Sequence, residues 1–292
     1  MLNRSLASIA LLTTLAAGAQ YGAFSAGAAK AAKGGTTIIV LDAVDTPYNK
    51  AITNAVKSDW KFTTSYDFIS VAQLATQPIV PEKTYLMKLS KTDPVKFNGT
   101  FLTLVQGWKL KKGEVLQQSN DQFNGIPAQQ ELAFIQIDPV AINEKGMAPM
   151  LGVYMKHLQD YLKLVETGKI TDKATADRTY SSRTRLIRDT DLWLAQEHLD
   201  KSIPDAAKVK EFYTAPAQVM ALSQLASGVV KGDNGITVSD LILTGDHKNK
   251  HCFKRVFNAG TGELMYLNDD ASIFGKKEGF IEDDLKSMER AR

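Results

Sequence analysis

Thr36-Thr37-Ile38-Ile39-Val40-Leu41-Asp42-Ala43-Val44-Asp45-Thr46-Pro47 decides the fold class of this chain. Its first six residues form a continuous β-branched and aliphatic run, the pattern of a strand buried on both faces, as in a parallel sheet covered by helices. Its last three open a helix, because a capping side-chain oxygen satisfies one orphan N–H and a proline at the first helical position has none to leave unpaired. The helix is expected to run to about Trp60. Beyond it, 66–70 reads as a second strand, 71–76 as a short helix, and 84–89 and 100–108 as two more strands. The alternation β-α-β-α-β-β implies an α/β fold built on a mixed sheet with flanking helices.

Further along, Glu131 to Ile137 is an apolar strand ended by Asp138-Pro139. Met147, Met150, Leu151, Tyr154, Leu158, Tyr161, Leu162 and Val165 recur at spacings of three and four, which predicts a helix with one broad apolar face, and Gly168 is a plausible stop. The first α/β half is thus expected over 36–170, with a polar link over 171–182. The second half, 183–270, echoes the first. Laying Asp189-Thr190 on Asp45-Thr46, a shift of 144 residues, also aligns Ala195 with Ala51, Lys201-Ser202 with Lys57-Ser58 and Phe212 with Phe68. That register makes 183–188 an Arg-rich strand, followed by a helix, a strand, a short helix, the strand 236–244 and a hairpin. Two related β-α-β-α-β-β halves are the expectation, the alternative being two unrelated α/β units that share common capping chemistry. In the hairpin, 253–257 and 263–267 flank Asn258-Ala259-Gly260-Thr261-Gly262, a loop rich in residues that tolerate positive φ. The tail, 271–292, carries Glu282, Asp283 and Asp284 early and Lys286, Arg290 and Arg292 late, the charge order a helix dipole favours, and reads as a short surface helix.

Working outward to the amino terminus, Arg4, the apolar run Leu6 to Ala17 and the small-x-small triplet Ala17-Gly18-Ala19 read as a secretory signal peptide over 1–19. The apolar run falls short of the roughly 20 residues a spanning helix needs. Residues 20–35 are Ala, Gly and Lys with few large side chains and read as a flexible leader. The formal charge of +3 falls to +2 once Arg4 is removed, so the total gives no general attraction to nucleic acid or anionic lipid. Cys252 is the sole cysteine, which excludes an intramolecular disulfide and a cysteine-linked lipid near the cleavage site.

Candidate chemistry is sparse. Asp42 and Asp45 stand at the carboxyl end of the first strand, where α/β sheets commonly place function. The placement resembles the haloacid-dehalogenase phosphatases, which imply a nucleophilic aspartate, a second acid and Mg²⁺; that family spaces the acids two apart, and these are three apart. Asp189 and Asp191 have the spacing but follow the poorly apolar stretch, and Lys250 stands where a late acid would be expected. The alternative is structural: Asp45 or Thr46 caps the helix and Asp42 is solvated. His247, His251, Cys252 and Asp246 offer a soft donor set for Zn²⁺ or copper, set against a polar surface turn with an incidental cysteine. A Cys252 nucleophile with His251 as base is disfavoured, since neighbours on a strand point to opposite faces. Arg183 and Arg185 alternate and would share a strand face able to bind a phosphate, a glycan acid or an acidic partner, or simply be solvated. His157 and His198 read as structural. Trp108 and Trp193 are possible partner anchors and Trp60 reads as packing. No Walker loop, dinucleotide fingerprint, nucleophile elbow or helical His-Glu zinc motif is present, and no cofactor is expected.

Ala17-Gly18-Ala19-Gln20, the first strand, Asp45-Thr46-Pro47-Tyr48-Asn49-Lys50, Trp60-Lys61-Phe62 and Tyr66-Asp67-Phe68-Ile69 together resemble exported proteins of uncharacterised function of the Bacteroidota type. The resemblance covers about the first third of the chain and implies a periplasmic or surface location. The expectation is therefore an exported, non-membrane-spanning and non-catalytic binding or structural protein of the envelope, its partner an envelope protein or a glycan. A metal-assisted hydrolase is the alternative.

Overall fold

The first half of the computed structural model runs α1 (Ala26–Lys33), β1 (Thr36–Leu41), α2 (Pro47–Asp59), β2 (Ser65–Ser70), α3 (Val71–Thr76), β3 (Lys83–Thr92), β4 (Asn98–Gln106), β5 (Gln117–Ser119), β6 (Gln122–Asn124), β7 (Glu131–Ile137), α4 (Pro139–Glu144) and α5 (Met150–Glu166). The second runs α6 (Lys173–Arg183), β8 (Asp191–Ala195), α7 (Ala206–Phe212), β9 (Ala217–Met220), α8 (Leu222–Lys231), β10 (Ile236–Thr244), β11 (Lys250–Asn258), β12 (Leu264–Ser272) and α9 (Glu282–Arg290). Residues 21–77, 79–92, 98–245, 250–272 and 277–291 are described; the signal-peptide reading of 1–19 lies outside them.

β1 is buried on both faces as its sequence predicts. Ile39 joins the cluster that holds Ile52 and Val56 of α2, while Ile38 and Val40 point the other way into the cluster with Val71 and Leu74 of α3. The two crossover helices therefore cover opposite faces of the sheet, and β1 pairs in parallel with both β2 and β3. Thr46 supplies the cap of α2, its Oγ1 accepting from Asn49 N at 3.2 Å, with Pro47 at the first helical position.

Among the described residues there are two mixed sheets with flanking helices. The first has the order β2-β1-β3-β4-β7, with the β5-β6 hairpin joined to β3; the second reads β9-β8-β10-β11-β12. Strand senses also match, since β8 runs parallel to β9 and β10, and β10-β11-β12 continue antiparallel as β3-β4-β7 do. The correspondence extends to single bonds. Gly107 N donates to Lys83 O and Ala259 N to Ile236 O at equivalent strand ends, and Gln73 and Gln224 each turn back to accept from the backbone N–H that opens α3 or α8. This sets Thr36 against Asp191, Ser70 against Ala221 and Lys83 against Ile236. The register expected from Asp189-Thr190 is corrected: residues 184–189 form a 3₁₀ segment, and Asp189-Thr190 precede a strand rather than follow one.

α5 lies between the halves. It packs on α2 and β7 of the first and on α8 of the second, and Tyr154, His157, Leu158 and Leu162 are all buried. Tyr154 Oη donates to Asp240 Oδ1 of β10 at 3.0 Å, and the His157 ring lies edge-on to Phe257 of β11 with centroids 5.5 Å apart. One apolar cluster thus runs through both halves.

Three expectations change. The leader 20–35 is structured over its described part. Tyr21 is buried and stacks on Tyr161 and Tyr180, Ala23 N donates to Glu131 O, and Ser25 caps α1. Alanine has the highest helix propensity, and Tyr21 provides the anchoring surface that a count of large side chains undervalued. The link 171–182 is mostly α6, opened by a reciprocal cap between Asp172 and Thr175. The tail helix α9 is docked rather than superficial, burying Asp284, Leu285 and Met288.

Gly107 marks a close approach: a Cβ there would lie 1.9 Å from Val80 O, a backbone atom that cannot swing aside. Gly107→Ala is expected to cost about 1–3 kcal/mol by overpacking, read as a lower urea midpoint with an unchanged slope.

Candidate functional site

β1 ends at Leu41 and the chain leaves the sheet through Asp42 to Thr46. The Asp42 carboxylate turns inward, is nearly fully buried, and meets Lys88 Nζ of β3 at 2.5 Å. Thr46 Oγ1 donates to Asp42 Oδ2 at 3.1 Å, and Lys88 Nζ lies 4.6 Å from the ring centroid of buried Tyr48. Asn49 secures the loop backbone, accepting from Asp42 N at 2.7 Å and donating to Asp42 O and Val44 O. The expectation of a solvated Asp42 is corrected: burial requires a counter-charge, and Lys88 supplies it from a strand that lies beside β1. Asp45, by contrast, is exposed and pairs with exposed Lys50 at 3.2 Å. The two acids do not converge.

Beside this loop, at the carboxyl ends of β1 and β2, lies an open cleft of about 680 Å³. Leu41, Phe68 and Ile69 contribute apolar surface, Thr53, Asn54, Ser70 and Gln73 contribute uncharged hydrogen-bonding groups, and Asp42, Asp45 and Lys50 contribute charge at its edge. The Ser70 hydroxyl accepts from Gln73 N and keeps its proton to donate, while Gln73 spends its oxygen on Ser70 N and keeps its amide hydrogens.

Only part of the His/Cys set falls on the described residues. His247 and Asp246 lie outside the described residues, and among those described no group of three or more His, Cys, Asp or Glu is placed to hold a metal. His251 stacks on Phe253, its neighbour on the same strand face, while Cys252 is fully buried and its thiol is pushed up to about 12 by burial. It is held as the protonated thiol, not the reactive thiolate. In native protein Cys252 is expected to resist an aromatic disulfide reagent and to titrate as one thiol only in denaturant.

Arg183 and Arg185 do not share a strand face, because Arg183 ends α6 and Arg185 sits in the following 3₁₀ segment. Arg183 grips Asp160 through two bonds of 2.6 and 3.1 Å and lies 3.3 Å from Glu263, so its guanidinium is engaged within the protein. Both helical histidines are buried as expected. Burial, with Arg255 and Arg183 nearby, pushes His157 down to about 3; burial pushes His198 to about 4, its Nδ1 within 2.9 Å of Ser239 Oγ. Trp60 is buried, whereas Trp108 and Trp193 are half-buried.

Two buried charge clusters escaped the sequence reading. Arg255 of β11 is fully buried, with Nε 2.7 Å from Asp240 Oδ2 and a further nitrogen donating at 3.0 Å to Gln136 O of β7 in the other sheet. Lys254 faces the opposite way and meets Asp270 at 2.5 Å and Asp284 of α9 at 2.6 Å; Asp284 also accepts from Tyr266 Oη and Asn268. A charge inside an apolar strand, opposed by the other sign on an adjacent strand, was the available signal.

Comparisons with protein-family models, with curated proteins and with solved structures yield no match.

Proposed function

We propose that this chain is an exported, non-catalytic binding protein of the cell envelope, and that the cleft at the carboxyl ends of β1 and β2 takes an uncharged, hydroxyl-rich ligand of the glycan class. The observation that carries the reading is the Asp42–Lys88 pair. A carboxylate neutralised by an ammonium and a hydroxyl is poorly suited to act as a nucleophile or to hold Mg²⁺, and Asp45 faces solvent. The charged groups of the lining are paired, Asp42 with Lys88 and Asp45 with Lys50, and the rest offers neutral donors and acceptors above a partly apolar floor, the combination that suits sugar hydroxyls and C–H faces. The charge pattern of residues 1–19 supports export. Among the described residues no helix is long and apolar enough to cross a membrane. The matching strand order of the sheets supports duplication of one ancestral unit.

Calorimetric titration with a panel of neutral oligosaccharides tests this. Binding by wild type, lost in Asn54→Trp with an unchanged melting temperature, is the expected result. Absence of binding across the panel overturns the ligand class. Turnover of an aryl phosphate with Mg²⁺ or Zn²⁺ that disappears in Asp42→Asn overturns the non-catalytic reading.

A further inference from the structure

A second hollow, of about 480 Å³, lies between α2, α5 and the carboxyl end of α8. Its lining repeats at helical spacing, with Pro47, Ala51, Ala55 and Asp59 along α2 and Ala148, Gly152 and Lys156 along α5. The two helices run side by side in the same sense: Tyr48 N donates to Asn143 Oδ1 of α4, ahead of α5, and Gln159 Nε2 donates to Asp59 O at the far end. The hollow is therefore a trough along the whole of α2, about 18 Å at 1.5 Å per residue. Buried Ala55, Val153, Val229 and Ala259 lie at its floor, and Val230 stands 73% exposed at its lip. Gly152 keeps it open. Glycine inside a helix is destabilising relative to alanine, and a common reason to retain it is the close approach of a neighbour. Here a Cβ would meet nothing within 4 Å, so the space belongs to no part of the fold.

The dimensions select the occupant. Spread along the trough, 480 Å³ is a cross-section of about 27 Å², whereas a docked helix about 10–12 Å across needs roughly three times that. An extended peptide would find no backbone partners, because the walls are helices whose N–H and C=O groups are spent internally. A linear alkyl chain needs neither. Charge selects its head group, since the lining carries Lys50 and Lys156 against the single acid Asp59. Lys50 is exposed and already pairs with Asp45. Lys156 is sheltered, its side chain 24% exposed, and its Nζ lies 3.7 Å from Asp59, beyond hydrogen-bonding reach, so among the described residues its three donors are unspent. We propose that this trough binds a single-chain anionic amphiphile of the fatty-carboxylate class, its tail along Ala55 and Gly152 and its carboxylate on Lys156. Burial of methylenes supplies the affinity, and partial shelter strengthens the ion pair relative to one in open water. α2 thus stands between two sites. Lys50 and Asn54 line both the trough and the cleft, but Gly152 and Lys156 line the trough alone, so substitutions at these two leave oligosaccharide binding at the cleft as a separate readout.

Calorimetric titration with laurate below its micelle concentration tests this, against decanoate and dodecanol. Laurate is expected to bind wild type with one-to-one saturation. Decanoate is expected to bind about tenfold more weakly, since each buried methylene is worth up to about fourfold, and dodecanol, which lacks the charge, several-fold more weakly. Gly152→Leu fills the trough and is expected to abolish laurate binding with an unchanged or higher melting temperature. Lys156→Met keeps the stem without the ammonium and is expected to bind laurate no better than dodecanol. No saturable binding of laurate, equal binding of laurate and dodecanol by wild type, or a Gly152→Leu variant that binds like wild type would overturn the proposal. A preference for laurate that survives in Lys156→Met would overturn the placement of the carboxylate.

Discussion

Arg255→Leu is expected to lower the free energy of unfolding by about 3–5 kcal/mol, the usual consequence of removing one partner of a buried ion pair. The substitution strands the Asp240 carboxylate in a fully buried site and takes a donor from Gln136 O. It also removes the cation lying 5.6 Å from the Tyr154 and Phe257 ring centroids. Most of the loss comes from the stranded acid, so a variant that also carries Asp240→Leu is expected to recover a large part of it. Urea unfolding of the two variants measures this. If Arg255→Leu shifts the midpoint no more than an exposed substitution does, the buried pair contributes no more than a solvated one.

The second large effect is acid sensitivity. His157 and His198 are held neutral, pushed down to about 3 and about 4 by burial, against an ordinary value of 6.5. Above pH 6.5 neither state is protonated and stability is full. Below it the unfolded chain takes up protons that the native protein refuses, so stability falls until the pH reaches each folded value. The slope is about 1.4 kcal/mol per pH unit for each histidine, and the two together remove about 4 kcal/mol between pH 6.5 and pH 5. Glu131, whose carboxyl is raised by burial, acts in the opposite direction over the lower part of that range. Comparing urea midpoints at pH 7.5 and pH 5.0 in wild type and His157→Gln isolates the histidine share. A wild-type midpoint that does not move would mean the rings reach solvent when charged.

Elements whose side chains face an environment dictated by their own sequence were legible. Thr36–Leu41 announced a doubly covered strand, Thr46-Pro47 a helix start, and Ile236–Thr244 a strand whose bounds agree with the structure. Features that depend on distant partners were not. Asp42 looks solvated until Lys88, far along the chain, is seen beside it. The leader looks mobile until Tyr161 and Tyr180 provide rings for Tyr21 to stack on. Arg183 looks available until Asp160 closes on it. For the second half, capping chemistry misled the register: Asp189-Thr190 repeats the dipeptide of a helix start, yet Thr190 opens no helix; it closes the 3₁₀ segment, and its hydroxyl bonds Ile187 O and Thr237. As for the cleft, its uncharged polar lining comes from three different elements, α2, β2 and α3, so no local pattern could have assembled it.

The placement of α5 has a consequence for biosynthesis. The helix is complete once residue 166 has been made, but the surfaces that cover Tyr154 and His157 belong to β10 and β11, which begin at residues 236 and 250. A nascent first half would carry a bare apolar stripe along its longest helix, inviting association with other incomplete chains. Delivery across a membrane as an unfolded thread would avoid that stage, since both sheets would then reach α5 within the same folding event.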